Sequence, residues 1–491
     1  MSRTRIVGGT YTKITRGDYK MYAGGDTIIT AAGKNDFANA ESIIIGTDPE
    51  KAPLLVMNDP ESINFLVHFK RIDNYDYSFG FDWMDDGYKY SCKNYEALKQ
   101  EYVPAGENTL WEPKGKEYFT PWVCMRKGQK NVRLKIEIEV LNKDAIKDND
   151  IIVLPQQNGI SFSLDEINVN EIISKGFVEV EVCCDTVSEE NRLFLVLDKW
   201  KNTVGKLNFF KNKTTYQLDV RFVEVKFKGK LKMEYDQHTI ILNFSNNTSK
   251  VDFKDSELEN KITSLELSKT IDRWKIYIKN NEAYFKKMFN QSLIEYLPIK
   301  DKRNHIAFEK ILLDINDYTI GTQPINSDNE DIKKIKLCIE QIDIDSIVCD
   351  LDTLLDSLKR IYIRNFGNYS GVIVFIMPII VRYPKKNENE KYQFYSAISD
   401  DVFKEGKNVL FANLNDLRKD ILVHEVAHTL GLVHSFQSET IDKGRQVISK
   451  HIFNFRATEN IMDYSNNTNS FWKWQWEEMQ KDCYDLKFIN N

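Results

Sequence analysis

Residues 424–434 read His424-Glu425-Val426-Ala427-His428-Thr429-Leu430-Gly431-Leu432-Val433-His434. On a helix, side chains four apart share one face, so His424 and His428 can turn their imidazoles toward one cation at the roughly 2.0–2.1 Å that zinc requires. Asn415 is a suitable N-cap, and no glycine or proline interrupts the run before Gly431. The spacing therefore predicts a helix that begins near Asn415 and stops at Gly431. A glycine there takes positive φ without a Cβ clash, turns the chain sharply and returns His434 to the metal from outside the helix. Three neutral nitrogens leave a fourth position open, which is the arrangement of catalytic rather than structural zinc. Glu425, beside the first ligand, is then the general base: zinc lowers the pKa of a water it holds to about 7, and a carboxylate can take that proton and pass it to a leaving amine. Satisfied helical histidines are the bland alternative. Three of the chain's seven histidines fall in this one stretch, which speaks against it.

Downstream, Asn460-Ile461-Met462-Asp463-Tyr464 follows the third histidine. Together the two stretches resemble the metzincin metallopeptidases, whose signature is HExxHxxGxxH plus a methionine turn. The resemblance implies an α/β (α+β) zincin-like catalytic domain over about residues 330–491, Zn2+ as cofactor and hydrolysis of a protein or peptide substrate. It implies Met462 as an apolar floor beneath the imidazoles and not a ligand. It also implies Tyr464 as a phenol that approaches the zinc and hydrogen-bonds the oxyanion, as in astacin-like and serralysin-like members; an aromatic packed on the turn is the alternative. Ser435, directly after the third histidine, looks like the matrixin subgroup, so the markers assign no subfamily. Substrate would add to an edge strand, read here as Asn408–Ala412. Trp472 to Lys481 reads as a last helix whose Trp472, Trp476 and Met479 pack behind the cleft, with a substrate-binding aromatic patch as the lesser reading. His451, in the insert Ser435 to Glu459, reads as a surface or packing residue rather than a fourth ligand. The first 330 residues hold no cysteine motif resembling a matrixin latency peptide.

Upstream, Ile335–Ile344 reads as a strand, Leu351–Ile363 as an amphipathic helix and Gly371–Met377 as a buried strand, followed by a polar loop around Lys385–Lys391. This order makes a mixed α/β layer with the second helix beneath the sheet. Residues 246–329 read as a bracing region with a helix through Ile271, Trp274, Ile278, Tyr284, Phe285 and Met288, joined by a linker at Asn243–Asp255. Residues 126–245 read as a β-sandwich: Val132, Leu134, Ile136, Ile138 and Val140 alternate with polar partners, Val178, Val180 and Val182 repeat the habit, and so does Arg221–Phe227. Residues 1–125 form a β-rich N-terminal region, Gly-rich with tight turns over the first 50 and without periodicity from 51 onward.

A chain of 491 residues exceeds what one core usually holds, so a multidomain protein is expected. A net charge of −6 lacks the basic excess that phosphate backbones demand, which excludes nucleic acid as partner. The longest apolar run, Gly371 to Val381, is too short to span a membrane and contains Pro378. No apolar h-region follows Met1-Ser2-Arg3-Thr4-Arg5, so a cleavable signal peptide is not expected. Seven cysteines without CxxC pairs read as mostly buried thiols. Gly8-Gly9-Thr10, echoed by Gly24-Gly25-Asp26-Thr27, loosely resembles spike- or tube-associated modules of bacterial contact-dependent, type VI-like secretion systems. That implies an effector secreted without a cleavable signal and a secretion-apparatus component as partner; the Asn-, Lys- and Ile-heavy usage fits a bacterial chain. The alternatives are a cytoplasmic or otherwise exported peptidase whose β-domains bind protein or glycan, and a zinc-containing binding scaffold without peptidase activity.

Overall fold

Val132, Leu134 and Ile136, which alternate with polar residues in the sequence, are all buried on a strand that runs Gln129–Val140. The computed structural model that shows this describes residues 63–481 and 487–490, apart from 157–158, 229–230, 234–239, 246–247, 253–269, 315–329, 333–334, 336–350, 378–380, 385–391, 400–406, 413–417, 439 and 443–444. All described residues belong to one unit, Pro60–Asn491. The readings of residues 1–50, of Asn415 as a cap and of the loop at Lys385–Lys391 lie outside them.

Among the described residues the β-rich N-terminal part has ten strands: β1 Phe65–Arg71, β2 Gly80–Asp82, β3 Trp122–Cys124, β4 Gln129–Val140, β5 Ile151–Val153, β6 Ile160–Phe162, β7 Glu166–Asn168, β8 Val178–Cys184, β9 Arg192–Asp198 and β10 Thr203–Phe209. One sheet runs β1-β4-β8-β6 and the other β2-β3-β10-β9-β5-β7. Their inner faces share a core that includes Leu66, Val67, Val132, Leu134, Val182, Phe194 and Val196. At Gly205 in β10 the sheets come so close that a Cβ would stand 2.9 Å from the Val67 carbonyl oxygen, so only glycine fits. The aperiodic stretch before residue 126, expected to lie outside the sandwich, supplies three of its strands, β1, β2 and β3. Short helical turns at Tyr88–Ser91 and Tyr95–Lys99 project from the same stretch.

The second layer is a mixed sheet with helices on both faces. Its elements are β11 Thr214–Lys228, α1 Thr270–Asn290, β12 Ile294–Pro298, β13 Phe308–Asp314, α2 Leu351–Phe366, β14 Val372–Ile376, β15 Ala397–Ser399, β16 Asn408–Phe411, α3 Ile421–Thr429, α4 Lys473–Lys481 and β17 Lys487–Asn490. The order is β12-β11-β14-β16-β15, with β13 and β17 also paired to β11. Strand β14 is buried at every position, as its unbroken Val-Ile-Val-Phe-Ile run requires of a strand covered on both sides. On one face, Trp274 of α1 stacks on Phe411 of β16 at 3.8 Å, and Tyr277 accepts the Leu422 N–H of α3. On the other face, Tyr362 of α2 meets Arg221 of β11.

Four sequence expectations change. Arg221–Phe227 belongs to β11 at the centre of the second sheet, paired in parallel with β12, β13 and β14, and not to the sandwich. Asn408–Ala412 is not the edge: β16 lies between β14 and the antiparallel strand β15, which is outermost among the described residues. Part of the expected linker at Asn243–Asp255 is strand, since Leu231–Met233, Ile240–Ser245 and Thr248–Asp252 form a three-stranded antiparallel meander. Ile335, expected to open a strand, is helical, while 336–344 lie outside the described residues. In the first two cases long-range pairing overrode a local pattern that suits several environments. Among the described residues no helix is long and apolar enough to cross a membrane. Cys92, Cys124 and Cys184 are buried free thiols and Cys183 a half-buried one.

Candidate metal centre

Helix α3 begins at Ile421, with Asp420 as N-cap, and ends at Thr429. Gly431 then takes φ +94°, while Leu432 N–H donates back to the Ala427 carbonyl at 3.1 Å. The resulting turn brings His434 to the two helical histidines. The Nε2 atoms of His424, His428 and His434 lie 3.2 Å apart in all three pairings.

What the triangle can do follows from the opposite ring nitrogens. His424 Nδ1 donates to the Ile461 carbonyl and His428 Nδ1 to the Leu432 carbonyl, each at 2.7 Å. A carbonyl only accepts, so both rings carry their proton on Nδ1 and present an Nε2 lone pair to the centre. Burial pushes all three imidazoles below the ordinary histidine range, His428 to about 3, which keeps them neutral. Two such acceptors 3.2 Å apart repel one another unless a donor or cation sits beside them. Ligands held at about 2.0–2.1 Å in tetrahedral geometry stand about 3.3–3.4 Å apart, close to the observed edges. The donor set therefore fits Zn2+, with His424, His428 and His434 as the residues that would hold it.

Tyr464 brings its hydroxyl to 2.8 Å from His434 Nε2, and its ring stacks on His424 at 5.4 Å. Its phenol is therefore aimed at the point where the imidazoles converge. Met462 is fully buried, and its carbonyl accepts the Ser435 N–H at 2.9 Å, so the methionine turn is tied to the residue after the third histidine. Asp463 fixes that turn through the N–H groups of Arg456, Thr458 and Tyr464 and the Thr458 hydroxyl. Asn460 and Gln475 hold each other across the turn.

Glu425 is half-buried on α3. Burial pushes its carboxyl up to about 7, against hydrogen bonds from the hydroxyl and backbone N–H of Ser399 on β15. Ser399 has no motif around it in the sequence and was not legible there. Phe436 and Phe455 likewise have no motif around them: Phe436 stacks on His434 at 5.0 Å, and Phe455, 54% exposed, meets Phe436 edge-on at 4.9 Å.

Trp472, Trp476 and Met479 are core residues, in keeping with packing behind the site. Of the two readings of His451, surface or packing, the structure has the second: it is buried and hydrogen-bonded to Glu101. A cavity of about 390 Å³ lies apart from the imidazoles, bordered by Arg71, Tyr75, Trp83, Lys135 and Glu459. Arg71 pairs with Glu459 and Lys135 with Asp73, so those charges are already matched within the protein.

Compared with protein-family models, with curated proteins and with solved structures, the chain matches none.

Proposed function

We propose that this chain is a zinc-dependent endopeptidase of metzincin type, acting on protein or peptide substrates. The single observation that carries the reading is the set of three Nε2 atoms standing 3.2 Å from one another, with a carboxylate on the adjoining helix position. A structural zinc site needs no base beside it.

When bound, zinc supplies Lewis-acid polarisation of the scissile carbonyl and lowers the pKa of water to about 7. The chain's own residues do the rest. Glu425 takes a proton from the attacking water and returns it to the leaving amine. Tyr464, its hydroxyl already directed at the centre, donates to the oxyanion as the carbonyl becomes tetrahedral. Among the described residues strand β15 is the outermost of its sheet, so an extended peptide can add along it, and Ser399 on that strand contacts the base.

The test compares wild type with Glu425→Ala and His434→Ala. Glu425→Ala is expected to keep its zinc and to lose about 10²- to 10⁴-fold in peptide cleavage. His434→Ala is expected to lose most of its metal affinity. Equal cleavage by wild type and Glu425→Ala would sink the mechanism, and unchanged zinc stoichiometry in His434→Ala would remove the third ligand from the assignment.

A further inference from the structure

The three histidines are not held alike. His424 and His428 ride on one helix and each anchors its second nitrogen on a backbone carbonyl. Among the described residues, His434 Nδ1 has no such anchor; the ring is stacked on Phe436, and its position depends on the backbone that carries it. That backbone is clamped next door. Ser435 N–H donates to the Met462 carbonyl, and the Ser435 carbonyl accepts from Phe453 N–H, each at 2.9 Å. The clamp is thus only as firm as the segment 449–454.

That segment is fastened by the N-terminal part of the protein. Lys93 N–H donates to the Ile452 carbonyl and Asn454 N–H to the Ser91 carbonyl, both at 2.8 Å, around a bridge between Cys92 and Phe453. Asn94 works as a two-sided bracket, its Oδ1 accepting from Ile452 N–H and its Nδ2 donating to the Lys450 carbonyl, each at 3.1 Å. Glu101 is a buried carboxylate facing three cationic or imidazole groups: Lys450 Nζ at 2.6 Å, His451 Nε2 at 3.1 Å and Lys473 Nζ at 3.8 Å. Its own backbone carbonyl takes the Trp122 indole N–H of β3, which ties the carboxylate to the sandwich. The Phe453 ring completes the seam, packed between Tyr88 and Trp472.

We infer that Asn94 and Glu101 are positioning residues for the third metal ligand, so that the N-terminal sandwich is a working part of the metal centre. The path runs from Glu101 and Asn94 to residues 450–453, from Phe453 to Ser435, and from Ser435 to the adjoining His434. The inference rests on the metal reading given above and adds to it a dependence that no residue near the imidazoles reveals. Its physical basis is that partners outside the ligand shell fix ligand orientation, and that a ligand without an anchored second nitrogen relies on its backbone instead.

The experiment uses the full chain. Zinc affinity is read by competition with a chromophoric chelator, and ligand geometry by the visible spectrum of the cobalt(II)-loaded protein, at a temperature where far-UV circular dichroism shows every variant folded. Asn94→Ala and Glu101→Gln are each expected to weaken zinc about tenfold and to alter the cobalt bands. Glu107→Gln, which breaks the Lys206–Glu107 pair elsewhere in the sandwich, is the control and is expected to leave both unchanged. Should Glu101→Gln not fold, Asn94→Ala, at a half-buried position, decides alone. Wild-type affinity and spectrum in the Asn94 and Glu101 variants would overturn the inference, and so would an equal loss in Glu107→Gln. A wild-type chain that binds no zinc would overturn the metal reading beneath it.

Discussion

The sandwich core and the ground beneath α3 are both closed to water, but they are made of different matter. Between the two sheets lie Leu66, Val67, Val132, Leu134, Phe194 and Val196, side chains with no polar atom to satisfy. Around the three converging imidazoles His424, His428, Asn460, Asp463 and Gln475 are buried instead. Each has a partner there, because an orphaned buried polar group costs about 1–3 kcal/mol. An apolar core can be repacked at constant volume with little loss, whereas a buried polar network loses stability as soon as one member goes. The second region gives up that tolerance, and a site where chemistry requires polar groups at fixed positions is where such a sacrifice is expected.

The largest expected effect breaks the sandwich alone. Phe194, fully buried and 4.8 Å from Phe209, should cost about 3–5 kcal/mol when cut to alanine, read by urea unfolding. Below its shifted transition the variant should still bind zinc at wild-type stoichiometry. Loss of metal from folded Phe194→Ala would show that the two regions are not as distinct as their contents suggest.

A pH experiment probes the seam between them. Asp82 accepts hydrogen bonds from Tyr102 and from the Lys473 N–H. Burial pushes its carboxyl from 3.8 up to about 7; those hydrogen bonds oppose the rise, and the Glu101 charge adds to it. Between these values the folded chain keeps a proton that the unfolded chain has lost, so the contribution is complete below about pH 3.8 and disappears as pH rises through 7. At most about 4 kcal/mol is at stake. Glu101 acts with the opposite sign and lower down: burial alone would raise its carboxyl, but His451, Lys450 and Lys473 hold it at about 2. Asp82→Asn, which resembles the protonated acid, should flatten the decline in urea stability between about pH 4.5 and about pH 7. An equal decline in both proteins would assign it elsewhere.

The smallest effect concerns Phe455. Exposed and in contact with Phe436 and Tyr464, it contributes little to folding, so Phe455→Ala should shift stability by no more than about 0.5 kcal/mol. If the ring receives an apolar side chain of the substrate, KM for peptide cleavage should rise severalfold while kcat holds. Unchanged KM would leave the ring without a role in binding.

How much could be read in advance depended on the range of the interaction. His424, His428 and the turn at Gly431 were legible because helical periodicity and the freedom of glycine at positive φ act within a few residues. The strand Gln129–Val140 was legible from alternation, and α1 from the 3.6-residue spacing of Trp274, Ile278 and Phe285. The edge of the second sheet was not. Ala397–Ser399 and Asn408–Phe411 are both short strands, and which one ends outermost is settled by pairing with β14, whose position depends in turn on β11.

By itself, then, the sequence determined the donor types and their local spacing: three imidazoles, a neighbouring carboxylate, and a glycine able to turn the chain between them. Only the tertiary structure decided that the imidazole Nε2 atoms meet at 3.2 Å, that Tyr464 points at the same spot and that Ser399 touches Glu425. It also decided that Asn94 and Glu101, more than 300 residues before the third histidine, brace the segment beside it. Local spacing obeys backbone geometry that every helix shares, whereas contacts across hundreds of residues exist only once two cores have closed against each other.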